Sequence, residues 1–291
     1  GREIFVSLNY SFSFEPKNSL LETANVIRKY SKTNPNQIIY DRSLEIEKDY
    51  EKNIFWTLKI KKALENNDII PYYQAIYNLQ TNKIEKYEAL MRLNDSGKIV
   101  SPFFFLDIAK KSGQYLQLTK RMIDCSFEYF KDKDFEFSIN FTFQDIANEE
   151  ISNYVIEKIK ELNIGNRVVF EIVESEEIDD FNLINGFFST IRKLGCKIAI
   201  DDFGSGYSNF EYLIKLDADY IKIDGSLIKD VLVSKGNENI ITMIINFAKE
   251  QGFKTIAEFV SSKEILEKVK HLGVDYVQGY YIHEPSEKIE N

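Results

Sequence analysis

Seven polar residues sit at or near the ends of apolar, strand-like runs, one run after another. They are Glu88 in IEKYEAL, Asn140 in FEFSIN, Glu171 in VVFEI, Asp201 in KIAID, Lys222 in YIKI, Glu258 in KTIAE and Gln278 in YVQ. A carboxylate in an apolar strand is costly unless it is paired, hydrogen-bonded or bound to metal. Several such carboxylates with one lysine suggest a metal-dependent enzyme. Segments between these runs read as helices. Strand, polar residue, helix, repeated along the chain, is how a (β/α) barrel assembles an active site, because the strands' C-terminal ends converge on one face.

The densest of these stretches is IAIDDFGSGYS at 198–208. Neighbouring side chains of a strand point to opposite faces, so Asp201 and Asp202 share one site only if the strand ends there. The plainer reading is a polar cap before a flexible turn. The Gly-Ser-Gly loop lacks the spacing of a Walker or dinucleotide phosphate cradle. In VVFEIVES, Glu171 is flanked by β-branched and aromatic residues, which makes an exposed edge a poor explanation for it. Glu174, three residues on, reads by itself as solvated or loop-anchoring. A lone lysine at a strand end usually snorkels to solvent. Lys222 instead faces a site rich in carboxylates, which makes a catalytic role as good a reading as a surface one, while so many carboxylates speak against Schiff-base chemistry as that role. Asn140 and Gln278 carry weight only as members of the set.

The elements that would position these residues alternate regularly. A lead-in helix begins at Ile54, and the strands PYYQAIYNL and IEKYEALMRL follow with only a TNK turn between them. So short a link joins antiparallel strands, since a parallel crossover needs a dozen residues or more. The barrel is therefore expected to be irregular at its start. Strands FEFSINF, RVVFEIVE, KIAIDDF, DYIKID, KTIAEFV and DYVQGYYI alternate with helices after that. The long helix from Ser226 is expected to break at Gly236, while Gly195, Gly252 and Gly273 read as helix stops before strands. Ahead of the barrel, residues 1–44 read as strand, helix and strand, too small to bury a core alone. RSLEIEKDYEKN, at 42–53, reads as a connecting helix or linker, with the linker helix itself taken as 45–53 and the barrel as 54–291.

With 291 residues the chain is long enough for one barrel and a small appendage. Its 44% apolar and 29% charged residues are ordinary for a globular protein. A net charge of −9 argues against a DNA or RNA duplex as partner. It allows a phosphorylated substrate, since bound divalent cations reverse the local sign. Cys125 and Cys196 make no disulfide framework, which fits a reducing cytoplasm. His271 and His283 form no zinc spacing. No apolar run reaches membrane-spanning length and no signal peptide is evident. The opening GREIF reads as a cut, so the chain is expected in the cytoplasm, either alone or as the cytoplasmic part of a larger membrane-anchored bacterial protein. The 17 tyrosines and 22 phenylalanines are core by default, with some left for stacking on bases.

Glu88-Ala89-Leu90 spells EAL. Together with YYQAIYN, FEIVES, DDFGSGYS, YIKID, TIAE and DYVQGYY in order, the segment from about Ile54 to Glu287 resembles the EAL domain family. The resemblance implies an α/β fold, a modified TIM (β/α)8 barrel whose first strand runs antiparallel. It implies hydrolysis of cyclic di-GMP to linear 5′-pGpG by in-line attack of a metal-activated water, in a homodimer formed through the barrel. By the same resemblance Glu88, Asn140, Glu171, Asp201 and Glu258 match metal ligands, and Asp202 a ligand of a second ion. Lys222 matches the lysine that orients or activates the water, and with Glu258 and Glu88 makes the catalytic set. Gln74, Leu90, Arg92 and Gln278 match the substrate pocket, Arg92 on a phosphate. Glu174 matches a glutamate bracing the loop after DDFG. An all-oxygen donor set suits two Mg2+ or Mn2+ ions, and the larger, looser Ca2+ should inhibit.

This chain departs from the family pattern in places. Ala75 stands where the family usually has Pro, which should soften a pocket wall. AEFVSS stands where AEGVET is usual, so Phe259 replaces a glycine and Ser261 a supporting glutamate. Phe259 is expected to crowd the pocket mouth, and Ser261 to slow turnover. The first 44 residues resemble the tail of a GGDEF domain without its signature, which implies a structural role. The alternative function is a catalytically weak or inactive cyclic di-GMP receptor using the same pocket. A more distant rival is an unrelated metal-dependent barrel enzyme.

Overall fold

The short TNK link folds as expected. In the computed structural model, which describes residues 46–173, 181–205 and 210–289, β1 (Ile69–Asn78) and β2 (Lys83–Asp95) pair antiparallel. The Asn78 side chain closes the turn by accepting from the amides of Gln80 (2.8 Å) and Thr81 (3.1 Å), an Asx-type turn. β3 (Lys98–Val100) pairs with the far end of β2. β4 (Glu136–Asn140), β5 (Val168–Val173), β6 (Lys197–Phe203), β7 (Tyr220–Ile223) and β8 (Lys254–Ala257) then follow, and β9 (Tyr276–Val277) ends the series. From β2 through β4 to β9 each strand is parallel to the next, and β1 lies antiparallel between β9 and β2. The sheet thereby closes into a barrel of eight strands, with β3 as a ninth appended to β2.

Residues 63–104 and 114–291 form one compact unit, which holds the barrel. The other unit comprises residues 1–62 and 105–113, and its first 45 residues lie outside the described residues, as does the GGDEF-tail-like segment with them. The expected linker and the lead-in helix are one continuous helix, Ile46–Glu65.

The helices bury the face their periodicity dictates. In Tyr115–Phe130 the buried positions Leu118, Met122, Ile123, Phe127 and Phe130 recur every three to four residues. Phe130 stacks on Phe137 of β4 at 4.5 Å between ring centres. Truncating that ring would cost about 3–5 kcal/mol. Gly195, Gly252 and Gly273 take positive φ after their helices, as expected of stops. The long helix does break, but between Lys229 and Lys235 rather than at Gly236. Ser234 accepts from the Asn237 amide and starts the second helix, which leaves Gly236 inside its first turn.

Inside the barrel, side chains alternate in layers along each strand. Ile76, Val169, Ala199, Tyr220 and Ile256 form an apolar layer. Two residues along the same strands stand Gln74, Glu171, Asp201, Lys222 and Glu258. The period of two thus sets a polar layer directly on an apolar one, at the C-terminal ends of the parallel strands.

Candidate active site

The polar layer converges on one ammonium. Lys222 Nζ lies 2.8 Å from Glu171 Oε2, 3.0 Å from Asp201 Oδ1, 3.0 Å from Glu258 Oε1 and 3.4 Å from Glu88 Oε2. All five residues are buried. Two amides organise Glu88: Gln278 Nε2 donates to Oε2 (2.7 Å) and Asn140 Nδ2 to Oε1 (3.0 Å). Gln278 Nε2 also donates to Gln74 Oε1 (3.1 Å), and Gln74 donates to the His283 carbonyl (3.1 Å).

Each carboxylate is held differently. Burial opposes ionisation of Glu88, but Lys222 and the two amide donors outweigh it and hold its pKa below the ordinary value. Burial, then the neighbouring Glu88, pushes Glu171 well above it despite Lys222. Burial raises Glu258 to about 8, although Lys222 works against the rise. Asp202 is raised to about 6 by burial and by Asp201 and Asp224. Lys222 pays desolvation too, yet the surrounding carboxylates raise it well above the usual lysine value. One ammonium against four carboxylates leaves more negative charge than this cluster balances by itself.

The backbone makes two unusual turns to build this arrangement. Asp201 and Asp202 both face the site, but β6 does not end there as alternation requires. It runs to Phe203, with its register to β7 shifted between Ile200 and Phe203 and Asp202 at φ +55°. A bulge, not a strand end, lets two adjacent aspartates share one face. β8 and β9 are shorter than their apolar runs. β8 stops at Ala257 because Phe259 is left-handed (φ +52°), and this presents Glu258 at the rim. β9 stops at Val277, just before Gln278 and Gly279. A Cβ on Gly279 would lie 2.2 Å from the Val260 carbonyl oxygen, so only glycine permits this approach of the two rims.

Above the polar layer is a cavity of about 530 Å³. Gln74, Glu88, Leu90, Arg92, Asp201, Asp202, Lys222, Glu258 and Gln278, all singled out in the sequence, line it together. Arg92 is lowered from its ordinary pKa by burial, and its Nη1 donates to the Met91 carbonyl at 2.8 Å. Glu171 and Asn140 stand beside the cluster through Lys222 and Glu88. Glu174 lies outside the described residues. Ala75 is fully buried and forms no wall of the cavity; its neighbour Gln74 takes the inward face of β1. Phe259 lines the cavity without filling it, and Ser261 lines it too. Lys229 and Tyr280 also line it and were not singled out from sequence. For Lys229 the only signal was its place four residues after Gly225 in GSLIK; for Tyr280, its place after Gln278-Gly279.

The donor set fits a hard cation. Glu171 Oε1 is buried without a hydrogen-bond partner. Asp201, Asp202 and Glu258 each offer an oxygen, and these atoms lie within 4.8 Å of one another. All are carboxylate oxygens, the ligands magnesium and manganese take. Among the described residues no helix is long and apolar enough to cross a membrane, and Cys125 and Cys196 are free thiols.

Comparison with known proteins gives consistent results. The family model described as "EAL domain" matches residues 58–285. The cyclic di-GMP phosphodiesterase PdeB of Shewanella oneidensis is 30% identical over 273 residues, covering 91% of this chain and 32% of that protein. The cyclic di-GMP phosphodiesterase PdeA of Borreliella burgdorferi is 30% identical over 293 residues, covering 97% of this chain and 43% of that protein. The chain thus spans from about a third to less than half of the length of these relatives. Among solved structures, the FimX EAL domain of Pseudomonas aeruginosa bound to c-di-GMP superposes with a TM-score of 0.75 at 26% identity, covering 81% of this chain and 98% of that one. An EAL domain protein from Listeria monocytogenes gives 0.72 at 29% identity, covering 79% and 93%.

Proposed function

The chain belongs to the EAL domain family, and on that premise we propose that it is a metal-dependent phosphodiesterase that hydrolyses cyclic di-GMP to linear 5′-pGpG. The observation that carries this reading is the over-supply of buried carboxylate oxygen around Lys222, with Glu171 Oε1 lacking any partner. Glu88, Asn140, Glu171, Asp201 and Glu258 would hold one divalent ion, Mg2+ or Mn2+, and Asp201 with Asp202 a second. When bound, these ions would lower the pKa of a water and offset charge on the phosphoryl oxygens.

The chain's own residues do the rest. The Lys222 ammonium, already at hydrogen-bonding distance from four carboxylates, holds and orients the attacking water. Gln278 and Asn140 fix the Glu88 carboxylate in its rotamer by donating to both its oxygens. Arg92 is half-buried, with donors left over after its bond to Met91, and suits a phosphate oxygen. The water oxygen bonds to phosphorus on the side opposite the ribose 3′ oxygen, the bond to that oxygen breaks, and the 3′ oxygen takes up a proton. Low-dielectric walls strengthen each of these interactions. Glu174 would brace the loop after Asp202, the barrel would pair as a homodimer, and residues 1–44 would be a GGDEF-tail-like structural appendage. For this chain we infer the cytoplasm, alone or as the cytoplasmic part of a longer membrane-anchored protein.

The test is direct. Purified protein is incubated with cyclic di-GMP and Mg2+ or Mn2+, and products are separated. Linear 5′-pGpG is expected, and Ca2+ should suppress it. Binding of cyclic di-GMP with no product in either metal would establish the receptor alternative instead, which Ser261 in place of a carboxylate favours.

A further inference from the structure

Phe259 combines three features on the barrel rim. It is a large apolar side chain that stays 54% exposed while lining the cavity. Its backbone is left-handed, a conformation that residues with a Cβ rarely adopt and bulky ones least of all. Such outliers persist where surrounding structure over-determines them, and they cluster at ligand sites. Its ring also has a fitted seat: a Cβ on Gly225 would lie 2.2 Å from Phe259 Cδ2 and 2.6 Å from Cγ. Any other residue at 225 would expel the ring.

Lys229 Nζ lies 4.6 Å from the ring centre. Gly225 and Lys229 stand four residues apart on one helix, Gly225–Lys229, and so meet the ring from the same side. The exposure of Phe259 therefore belongs to its edge and opposite face. A rigid aromatic face, backed by a lysine and bordering a cavity that also holds Arg92, has the form of a stacking surface beside a phosphate site.

We propose that the open face of Phe259, seated on Gly225 and backed by Lys229, is a stacking platform for one base of the dinucleotide bound in this cavity. This rests on the cyclic di-GMP reading above. It makes Phe259 a determinant of substrate affinity on this chain, where the sequence suggested an obstruction.

The test uses Phe259→Ala, →Leu, →Gly and →Tyr in the full chain, with kcat and KM measured for cyclic di-GMP in Mn2+ and direct binding measured in Ca2+. Base–aromatic stacking predicts that Ala and Leu raise KM and Kd by about tenfold or more, with kcat held within about twofold, and that Tyr retains wild-type values. Phe259→Gly removes the left-handed strain, so its melting temperature should equal or exceed the wild type's while its affinity falls as in the Ala variant. That separates loss of the platform from loss of folding. Leu matching Phe would sink the platform, as would a fall in kcat at unchanged KM, which marks mere positioning of Glu258. Tighter binding in the Ala variant would show a plug. Wild-type protein that binds but does not cleave overturns the phosphodiesterase reading alone, because the binding arm still decides on Phe259. Wild-type protein that does neither overturns both.

Discussion

Lys222 and Lys86 are both buried inside the same barrel, and their surroundings have opposite character. Lys222 stands at the mouth among Glu88, Glu171, Asp201 and Glu258, with negative charge in excess. Lys86 stands at the floor, where the parallel strands begin. It donates to Glu136 and, at 2.6 Å, to the Tyr220 hydroxyl, and lies over the rings of Tyr220 (4.3 Å) and Tyr276 (4.8 Å). Lys197 shares the same Glu136. Burial lowers the Lys86 pKa despite Glu136, whereas the carboxylates at the mouth raise that of Lys222 against the same penalty. The floor satisfies its ions internally, with hydroxyls and ring faces filling what carboxylates do not. The mouth leaves Glu171 Oε1 unpartnered. One strand serves both ends: Lys86 and Glu88 are two residues apart on β2, as Tyr220 and Lys222 are on β7. What separates a structural ionic cluster from a reactive one here is bonding capacity left unmet among the carboxylates, not burial.

The sharpest way to break this comparison is to neutralise each lysine in turn. Lys222→Met should lower kcat for cyclic di-GMP by about 10²- to 10⁴-fold in saturating Mn2+, the range for a positioned proton-handling group. Lys86→Met touches neither substrate nor water and should leave kcat within about twofold. Initial rates at saturating substrate decide it. Equal losses in both variants would mean that the floor is not separate from the chemistry.

Stability should divide the pair in a second way. In metal-free protein, Lys222→Met removes the common partner of four carboxylates, and breaking such a buried cluster costs about 3–5 kcal/mol. Lys86→Met leaves Glu136 with Lys197, so the loss should be nearer that of a charge-assisted hydrogen bond, about 1.5–3 kcal/mol. Adding Mn2+ should recover much of the first loss and none of the second, because a divalent ion at the mouth replaces the missing positive charge. Urea unfolding with and without Mn2+ measures both. Recovery of Lys86→Met by Mn2+ would contradict the division.

The mouth was readable in the sequence for the same reason that it is reactive. A charged residue closing an apolar run is costly, so Glu171 and Lys222 stand out from their neighbours. The antiparallel start was readable from the length of one link. The floor was not: Lys86 lies between Glu85 and Tyr87, beside a turn, and looks like ordinary strand-end polarity. Its burial depends on Glu136 and Tyr220, far away in the chain. The bulge at Asp202 escaped because pairing with β7, not the residues of β6, decides where the pleat slips. The helix break escaped because Val231, Leu232 and Val233 keep the stretch apolar across the gap, and Gly236 was the louder signal. Lys229 depends on how the short helix after β7 is set over the mouth, and Tyr280 on how the chain turns after β9, which no local pattern encodes.

The smallest expected effect distinguishes the two ends by pH. Glu258 has a native pKa of about 8 in the metal-free protein, against an ordinary value of 4.5. Between about pH 5 and 8 the native state keeps a proton that the unfolded chain releases, so the unfolded state gains and stability falls as pH rises. Asp202, at about 6, adds a shorter fall of the same sign. The contribution of Lys86 has the opposite sign, since a buried lysine with a lowered pKa gives up its proton first in the native state, and stability rises with pH towards 10.5. Glu258→Gln should therefore flatten the decline between pH 5 and 8, by at most about 1.4 kcal/mol per pH unit. Lys86→Met should leave that decline in place. Because a divalent ion needs ionised carboxylates, the stabilisation it brings should also grow over the same interval. Melting temperatures of the three proteins at pH 5, 6.5 and 8, with and without Mn2+, measure this. An unchanged slope in Glu258→Gln would mean that the proton is held elsewhere in the cluster, with Glu171 as the next carboxyl to replace.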